Sequence, residues 1–387
     1  MLGKIFSLKY LSYLYIICAI ALSNVNASVG GLQTICLGLT MASFVMLFAV
    51  YVINVRFMQI PGGLLLISLF TIYVCLSAFI TGYEFSVITQ ILMLVSCFIF
   101  SSLYESKEDY IGLLKAIVLA NMLMAFLLVL MAGSISGFMT IVSDDELSNL
   151  FIQKNIVAFS MSIGAIVSFY IFLFEKKKIY LFPFLLFILI LFCTGSRRGL
   201  LSMLFGMAGL FYFNKKVNNA SITKIILGVV TSSIMILFLL QLDFFSSMND
   251  RLNSLVLGIG DESQLSESDE GRLLMINKAI KMFEEKQIFG HGAGAFKAIA
   301  GFGIYSHNNY VELLANYGII GFCLFYGFVF KILVKAFSKI KKNSDVFSVF
   351  ILIFFVVRLI SDFGNVSYYD KLLYVMFGAS ISYFKHN

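Results

Sequence analysis

Charge is scarce in this chain, and tryptophan is absent. Only 13% of its 387 residues are Asp, Glu, Lys or Arg, about half the share of an ordinary soluble domain. The chain is therefore not read as a soluble globular protein. No two of its six cysteines stand at CxxC spacing, and Cys18, Cys36, Cys75, Cys97, Cys193 and Cys323 each lie inside an apolar run. They read as small core residues rather than as a metal or redox centre. The candidate extramembrane segments contain no HExxH, Cys/His cluster or DxD-like carboxylate pair, so metal-dependent chemistry has no ligand set behind it. Short segments of alternating polarity, the mark of a transmembrane barrel, are missing as well. The lack of tryptophan carries no functional reading.

What the chain does have is apolar sequence: 60% of residues are hydrophobic. The apolar runs are long enough to cross about 30 Å of hydrocarbon. The fold class expected is all-α, a polytopic helical bundle forming a single transmembrane domain over residues 1–387. Candidate spans cover residues 8–24, 32–54, 62–81, 85–104, 110–132, 155–174, 179–194, 199–213, 225–242, 315–337, 346–360 and 371–384, about twelve in all. The first run reads as a span rather than as a cleaved signal peptide.

With the N-terminus inside, the inner loops collect Lys4, Lys9, Arg56, Lys107, Lys176–Lys178, Lys215, Lys216, Lys224, Lys331, Lys335, Lys339, Lys341, Lys342 and Lys385. That satisfies the positive-inside rule and puts both termini in the cytoplasm. It also accounts for the net charge of +7 without a nucleic-acid partner.

The arginines behave differently. Five of the six, Arg197, Arg198, Arg251, Arg272 and Arg358, fall on the outer side. A guanidinium keeps its charge and offers a planar fork to phosphate or carboxylate. An outer cluster of them suggests an anionic, membrane-anchored substrate.

One long outer segment, residues 243–312, interrupts the alternation of spans, and a second outer loop covers residues 133–155. Within the long segment, "RLLMINKAIKMFEEK" reads as an amphipathic helix. Leu273, Ile276, Ile280 and Phe283 share one face, and Ser268 or Asp269 is the N-cap. Such a helix would lie on the bilayer surface or roof a cavity. The turn "GHGAGAF", residues 290–296, follows no buried strand. It reads as a flexible turn that lets backbone come close to a neighbouring helix or a substrate, not as a nucleotide loop. In "YSHNNYVELLANYGIIGF", residues 305–322, Ser306 reads as an N-cap with His307 in the first turn. The helix dipole there disfavours an imidazolium. A neutral imidazole suits a general base for a sugar hydroxyl; the alternative is that His307, Asn308 and Asn309 only cap the helix end.

Taken in order, "TGSRRG", "GRLLMINKAI", "FGHGAGAF" and "SHNNYVELLANYGIIG" resemble the O-antigen polymerase and ligase superfamily of bacterial envelope assembly. The resemblance covers about residues 150–340. Two positions depart from the family pattern: Ile276 stands where tryptophan is usual, and His291 where a small or apolar residue is usual.

The resemblance implies a Wzy-type polymerase in the bacterial inner membrane, working on its periplasmic face. Such an enzyme moves a growing glycan from undecaprenyl diphosphate to the next lipid-linked repeat unit. The alternatives are a ligase transferring glycan to lipid A-core and a lipid-linked oligosaccharide flippase. In the polymerase reading Arg198 and Arg272 stabilise the departing diphosphate and His307 serves the acceptor hydroxyl. Substrate binding falls to Arg197, Ser196, Asn308, Arg251 and Arg358. No cofactor is required, since the donor arrives activated. The implied partners are the lipid-linked repeat units, membrane lipid, and a chain-length regulator and flippase of the same pathway.

Overall fold

The structure is a computed structural model that describes residues 7–22, 31–54, 62–132, 154–218, 267–343 and 345–386. The ninth candidate span (225–242), Arg251, nearly all of the 133–155 loop and the first part of the long segment lie outside the described residues. The described residues form thirteen α-helices and no strand. These are α1 (Leu8–Ala21), α2 (Gly31–Asn54), α3 (Leu65–Thr81), α4 (Val87–Leu103), α5 (Lys107–Ala132), α6 (Lys154–Phe174), α7 (Leu181–Cys193), α8 (Arg197–Asn218), α9 (Glu267–Glu285), α10 (Ala295–Ile299), α11 (Asn309–Asn343), α12 (Val346–Asp362) and α13 (Lys371–His386). Among the described residues, five stretches, Gly31–Asn54, Gly62–Thr81, Lys107–Leu130, Asn155–Phe174 and Asn309–Lys342, are long and apolar enough to cross a membrane. The protein is a polytopic helical membrane protein.

The chain divides into two compact units. The first comprises residues 1–53, 106–260 and 337–357. Within it, α1 packs on α5, while α6 packs on α5, α7 and α8. Helix α5 opens with a reciprocal cap: the Ser106 N–H donates to Asp109 Oδ2 (3.0 Å) and the Asp109 N–H to Ser106 Oγ (3.4 Å). That exchange satisfies two amides the helix leaves without partners. Lys9 of α1 reaches the same carboxylate at 2.8 Å, and Tyr13 donates to the Asp109 carbonyl at 3.0 Å. The first apolar run is therefore tied into the bundle. In α8, a Cβ on Gly206 would stand 2.3 Å from Ile166 Cδ1 of α6. Van der Waals contact drives helix association in lipid, and this glycine permits that close approach.

The second unit comprises residues 54–105, 261–336 and 358–387. In it α4 packs against α13, held by a Gln90 Nε2 to Tyr374 Oη bond at 2.6 Å and a Ser382 Oγ to Tyr104 carbonyl bond at 2.6 Å. Phe70, Tyr317, Phe325, Tyr368 and Phe377 meet edge-to-face or tilted in its core.

Two boundaries differ from those read in the sequence. Helix α8 starts at Arg197, so both arginines of "TGSRRG" belong to the helix rather than to the loop before it. Helix α9 starts at Glu267, ahead of the expected caps Ser268 and Asp269. The apolar face expected to meet the bilayer surface or a cavity is not the one that packs on protein. Ala279 and Met282 are buried, with Met275 packed beside them against Phe296 and Ala315, whereas Leu273 and Ile280 are exposed.

Candidate functional site

In the first unit, Ser196 caps α8. Its Oγ accepts the Gly199 N–H at 3.4 Å and donates to Asn155 Oδ1 at 3.4 Å, and Ser162 Oγ holds the Gly199 carbonyl at 2.7 Å. Ser196 is buried, so its hydroxyl serves the helix end. Arg197 and Arg198 occupy the first helical turn, both half-buried. The helix N-terminus already carries a partial positive charge, so a cation there costs about 0.3–1 kcal/mol. An anion at the same end reverses the sign and finds both dipole and guanidinium favourable.

The second unit holds Arg272, His307, Asn308 and Arg358. Arg272 lies on α9, half-buried. His307 is not in the first turn of α11. It precedes the helix in the left-handed region, at φ 57°. Its ring packs on Tyr305, with centroids 4.5 Å apart. The cap is Asn308, whose Oδ1 accepts the N–H groups of Tyr310 (3.0 Å) and Val311 (3.3 Å). Ser306 instead closes the turn before the helix: its Oγ donates to the Asn308 carbonyl at 2.9 Å and accepts the Asn308 N–H at 3.3 Å. A left-handed non-glycine residue costs about 1–3 kcal/mol, and such residues persist where their surroundings over-determine them, often at functional sites.

Of the polar residues that surround this turn, the sequence reading named Asn309 only as a possible cap and missed Asp362. Asn309 is fully buried. Its Nδ2 donates to Tyr326 Oη (2.8 Å) and Asp362 Oδ2 (3.3 Å), while its Oδ1 accepts the N–H groups of Ser367 (2.8 Å) and Tyr368 (3.2 Å). One side chain thus joins the start of α11, the end of α12 and the loop before α13. The signal was legible in principle. Asn309, Glu312 and Asn316 recur at three and four residues, which puts them on one face of an apolar helix.

Arg358 is also buried and pairs with two carboxylates, Asp370 at 2.8 Å and Asp362 at 3.6 Å. Burial pushes the Asp362 carboxyl up to about 6, with Arg358, Ser367 and Tyr326 pulling the other way. Arg358→Ala strands both acids without their cation, and the expected loss is about 3–5 kcal/mol. Thermal unfolding in detergent reads that loss, and an unchanged midpoint contradicts it.

The glycine turn has a definite structural task. Helix α11 breaks at Gly318 (φ 60°, ψ −164°). The break takes the Ile319 and Ile320 N–H groups away from the carbonyls of Ala315 and Asn316, four residues back. The turn supplies all four replacements. The His291 and Gly292 N–H groups donate to the Ala315 and Asn316 carbonyls at 2.9 and 2.7 Å. The Gln287 and Ile288 carbonyls accept from Ile319 and Ile320 at 2.8 and 3.4 Å. From α3, Tyr73 Oη donates to the Phe289 carbonyl at 2.6 Å, and Ser77 Oγ accepts the Ala293 N–H at 3.2 Å. The turn does approach a helix, as the sequence suggested, but it is clamped rather than flexible. His291 belongs to the same framework, its Nε2 lying 2.9 Å from the Met282 carbonyl in the last turn of α9.

Residues 182–326 match the family model Wzy_C, described as O-antigen ligase. The matched stretch runs from α7 into α11 and takes in the Ser196–Arg198 turn, Arg272, the glycine turn and the His307–Asn309 helix start. Over the matched stretch this agrees with the resemblance to the O-antigen polymerase and ligase superfamily. No curated protein matches the chain.

Proposed function

We propose that the protein is a glycan polymerase that elongates a surface polysaccharide on the periplasmic face of the inner membrane. The donor is a glycan on undecaprenyl diphosphate, and the acceptor is a hydroxyl of the next lipid-linked repeat. The acceptor oxygen forms the new glycosidic bond, the anomeric C–O bond to the diphosphate breaks, and the diphosphate leaves on its lipid. Charge grows on that leaving group in the transition state, so preorganised cations aimed at it lower the barrier. Arg197 and Arg198 take that role at the N-terminal end of α8, with Arg272 from α9. His307 receives the acceptor hydroxyl's proton. Ser196, Asn308 and Arg358 act by holding the segments that carry these groups, and Arg251 is assigned to substrate by sidedness. Membrane lipid surrounds the bundle; a flippase supplies substrate and a chain-length regulator sets its use.

The observation that carries this reading is the paired arginines in the first turn of α8, an arrangement that an anion stabilises. The outer placement of the groups is supported by the packing within each unit. Ser196 meets Asn155, and Arg358 meets Asp370. Each pair joins segments that the positive-inside alternation puts on the outer side. Lys107 meets Glu175 at 3.0 Å, joining two segments assigned to the inner side.

Purified protein mixed with polyprenyl-diphosphate-linked repeat units in detergent tests the proposal. A ladder of extended glycans and released polyprenyl diphosphate is the expected result. Transfer only to a lipid A-core acceptor would mean a ligase, and no product in the absence of a membrane barrier would mean a transporter. In the same assay Arg198→Ala lowers the rate by about 10²–10³. Arg198→Lys lowers it by about tenfold, because a point charge keeps the attraction and loses the bidentate fork. Equal rates for wild type and Arg198→Ala contradict the assignment.

A further inference from the structure

We propose that Glu312 is the positioning residue for His307, an inference that rests on the catalytic reading of that histidine. Glu312 sits in the first turn of α11 and is almost wholly buried, at 3% exposure. Its Oε2 accepts the Ser306 N–H at 2.7 Å, and its Oε1 accepts Asn316 Nδ2 at 3.2 Å. The amide it grips belongs to the residue immediately before His307. On the other side of His307, Asn308 is held as the helix cap and bonds back to Ser306. With both flanking residues pinned, the left-handed φ of His307 follows, and the imidazole is presented against Tyr305.

The carboxylate also links this turn to the clamp at the helix break. Asn316, which donates to Glu312, uses its Oδ1 to accept the Phe296 N–H at 2.8 Å, and its carbonyl accepts the Gly292 N–H. One connected series of hydrogen bonds therefore runs from the glycine turn through Asn316 and Glu312 to Ser306, one residue from the imidazole. The geometry calls for a carboxylate. Two donors converge on the side chain from different directions, and each meets an oxygen. A glutamine has one acceptor oxygen and would turn an NH₂ group toward one of the two donors. Glu312 touches neither reacting sugar nor diphosphate in this account; its effect on the reaction passes through the backbone that carries His307.

The test combines kinetics with a direct readout of the imidazole. Glu312→Gln and Glu312→Ala are purified beside wild type in detergent, with the imidazole ¹⁵N-labelled. The signals of the chain's three histidines are assigned by loss in His307→Asn. In the extension assay kcat is expected to fall by about 10-fold in Glu312→Gln and about 100-fold in Glu312→Ala, with KM for the lipid-linked acceptor unchanged. Adding either change to His307→Asn should cost nothing further, since both act through one group. The His307 ring signals should shift in both variants while those of His291 and His386 stay in place. Unmoved His307 signals, or a kcat for Glu312→Gln within twofold of wild type, overturn the proposal. Wild-type protein that extends no glycan while the variants still shift His307 overturns the functional reading alone and leaves the positioning intact.

Discussion

His307→Asn is expected to lower glycan extension by about 10²–10⁴ while leaving the amount of protein in the membrane unchanged. The magnitude is that of removing a general base from a transfer whose acceptor is an unactivated hydroxyl. Asparagine is chosen because the backbone at this position is left-handed, a conformation that asparagine tolerates better than alanine. The turn between Ser306 and Asn308 should therefore keep its hydrogen bonds, so a loss of activity reports the imidazole rather than the fold. Extension rates are read with purified protein, and the quantity of folded protein by size-exclusion chromatography in detergent. Full activity in His307→Asn would remove the imidazole from the mechanism.

Gly318→Ala is expected to destabilise the second unit by about 2–6 kcal/mol. Two costs add. The backbone at φ 60°, ψ −164° lies in a region open essentially to glycine, and a Cβ there costs about 1–3 kcal/mol. In addition, that Cβ would stand 2.3 Å from the Ile288 carbonyl oxygen, a backbone atom that cannot swing aside, and overpacking of this kind costs about 1–3 kcal/mol. The physical reason is the exchange at the helix break. The four backbone groups released there find their partners in the close approach of residues 287–292. A thermal midpoint equal to wild type, in a detergent that preserves activity, contradicts this account of the clamp.

Much of the architecture was legible in the apolar runs, because a membrane-spanning helix must satisfy its backbone internally and so needs a long apolar stretch. Eleven of the twelve candidate runs fall on described helices. The break at Gly318 was not legible, since an isolated glycine in a helical pattern is ordinarily tolerated. What decides the matter is the turn docked against it, a contact between residues some thirty positions apart. The protein-facing side of α9 was not legible for a related reason. Leucine and isoleucine mark the buried side only where the alternative is water, and beside a bilayer the small, tightly packed side carrying Ala279 can be the buried one. The start of α11 was ambiguous because Ser306 and Asn308 both have side chains suited to capping; the outcome followed from Asn308 Oδ1 meeting two amides at once. The candidate arginines and His307 were visible as individual residues, whereas Asn309, Glu312 and Asp362 looked like ordinary polar residues until the fold gathered their partners.

The central claim is that the cations of "TGSRRG" and the imidazole after Ser306 serve one reaction on the outer side of the membrane. Single-cysteine labelling in intact cells tests it most directly, with Arg198→Cys and His307→Cys introduced separately into a chain whose own six cysteines have been replaced by serine or alanine. A membrane-impermeant maleimide added from outside should label both positions. Labelling of one from outside and of the other only after the membrane is opened would contradict the claim.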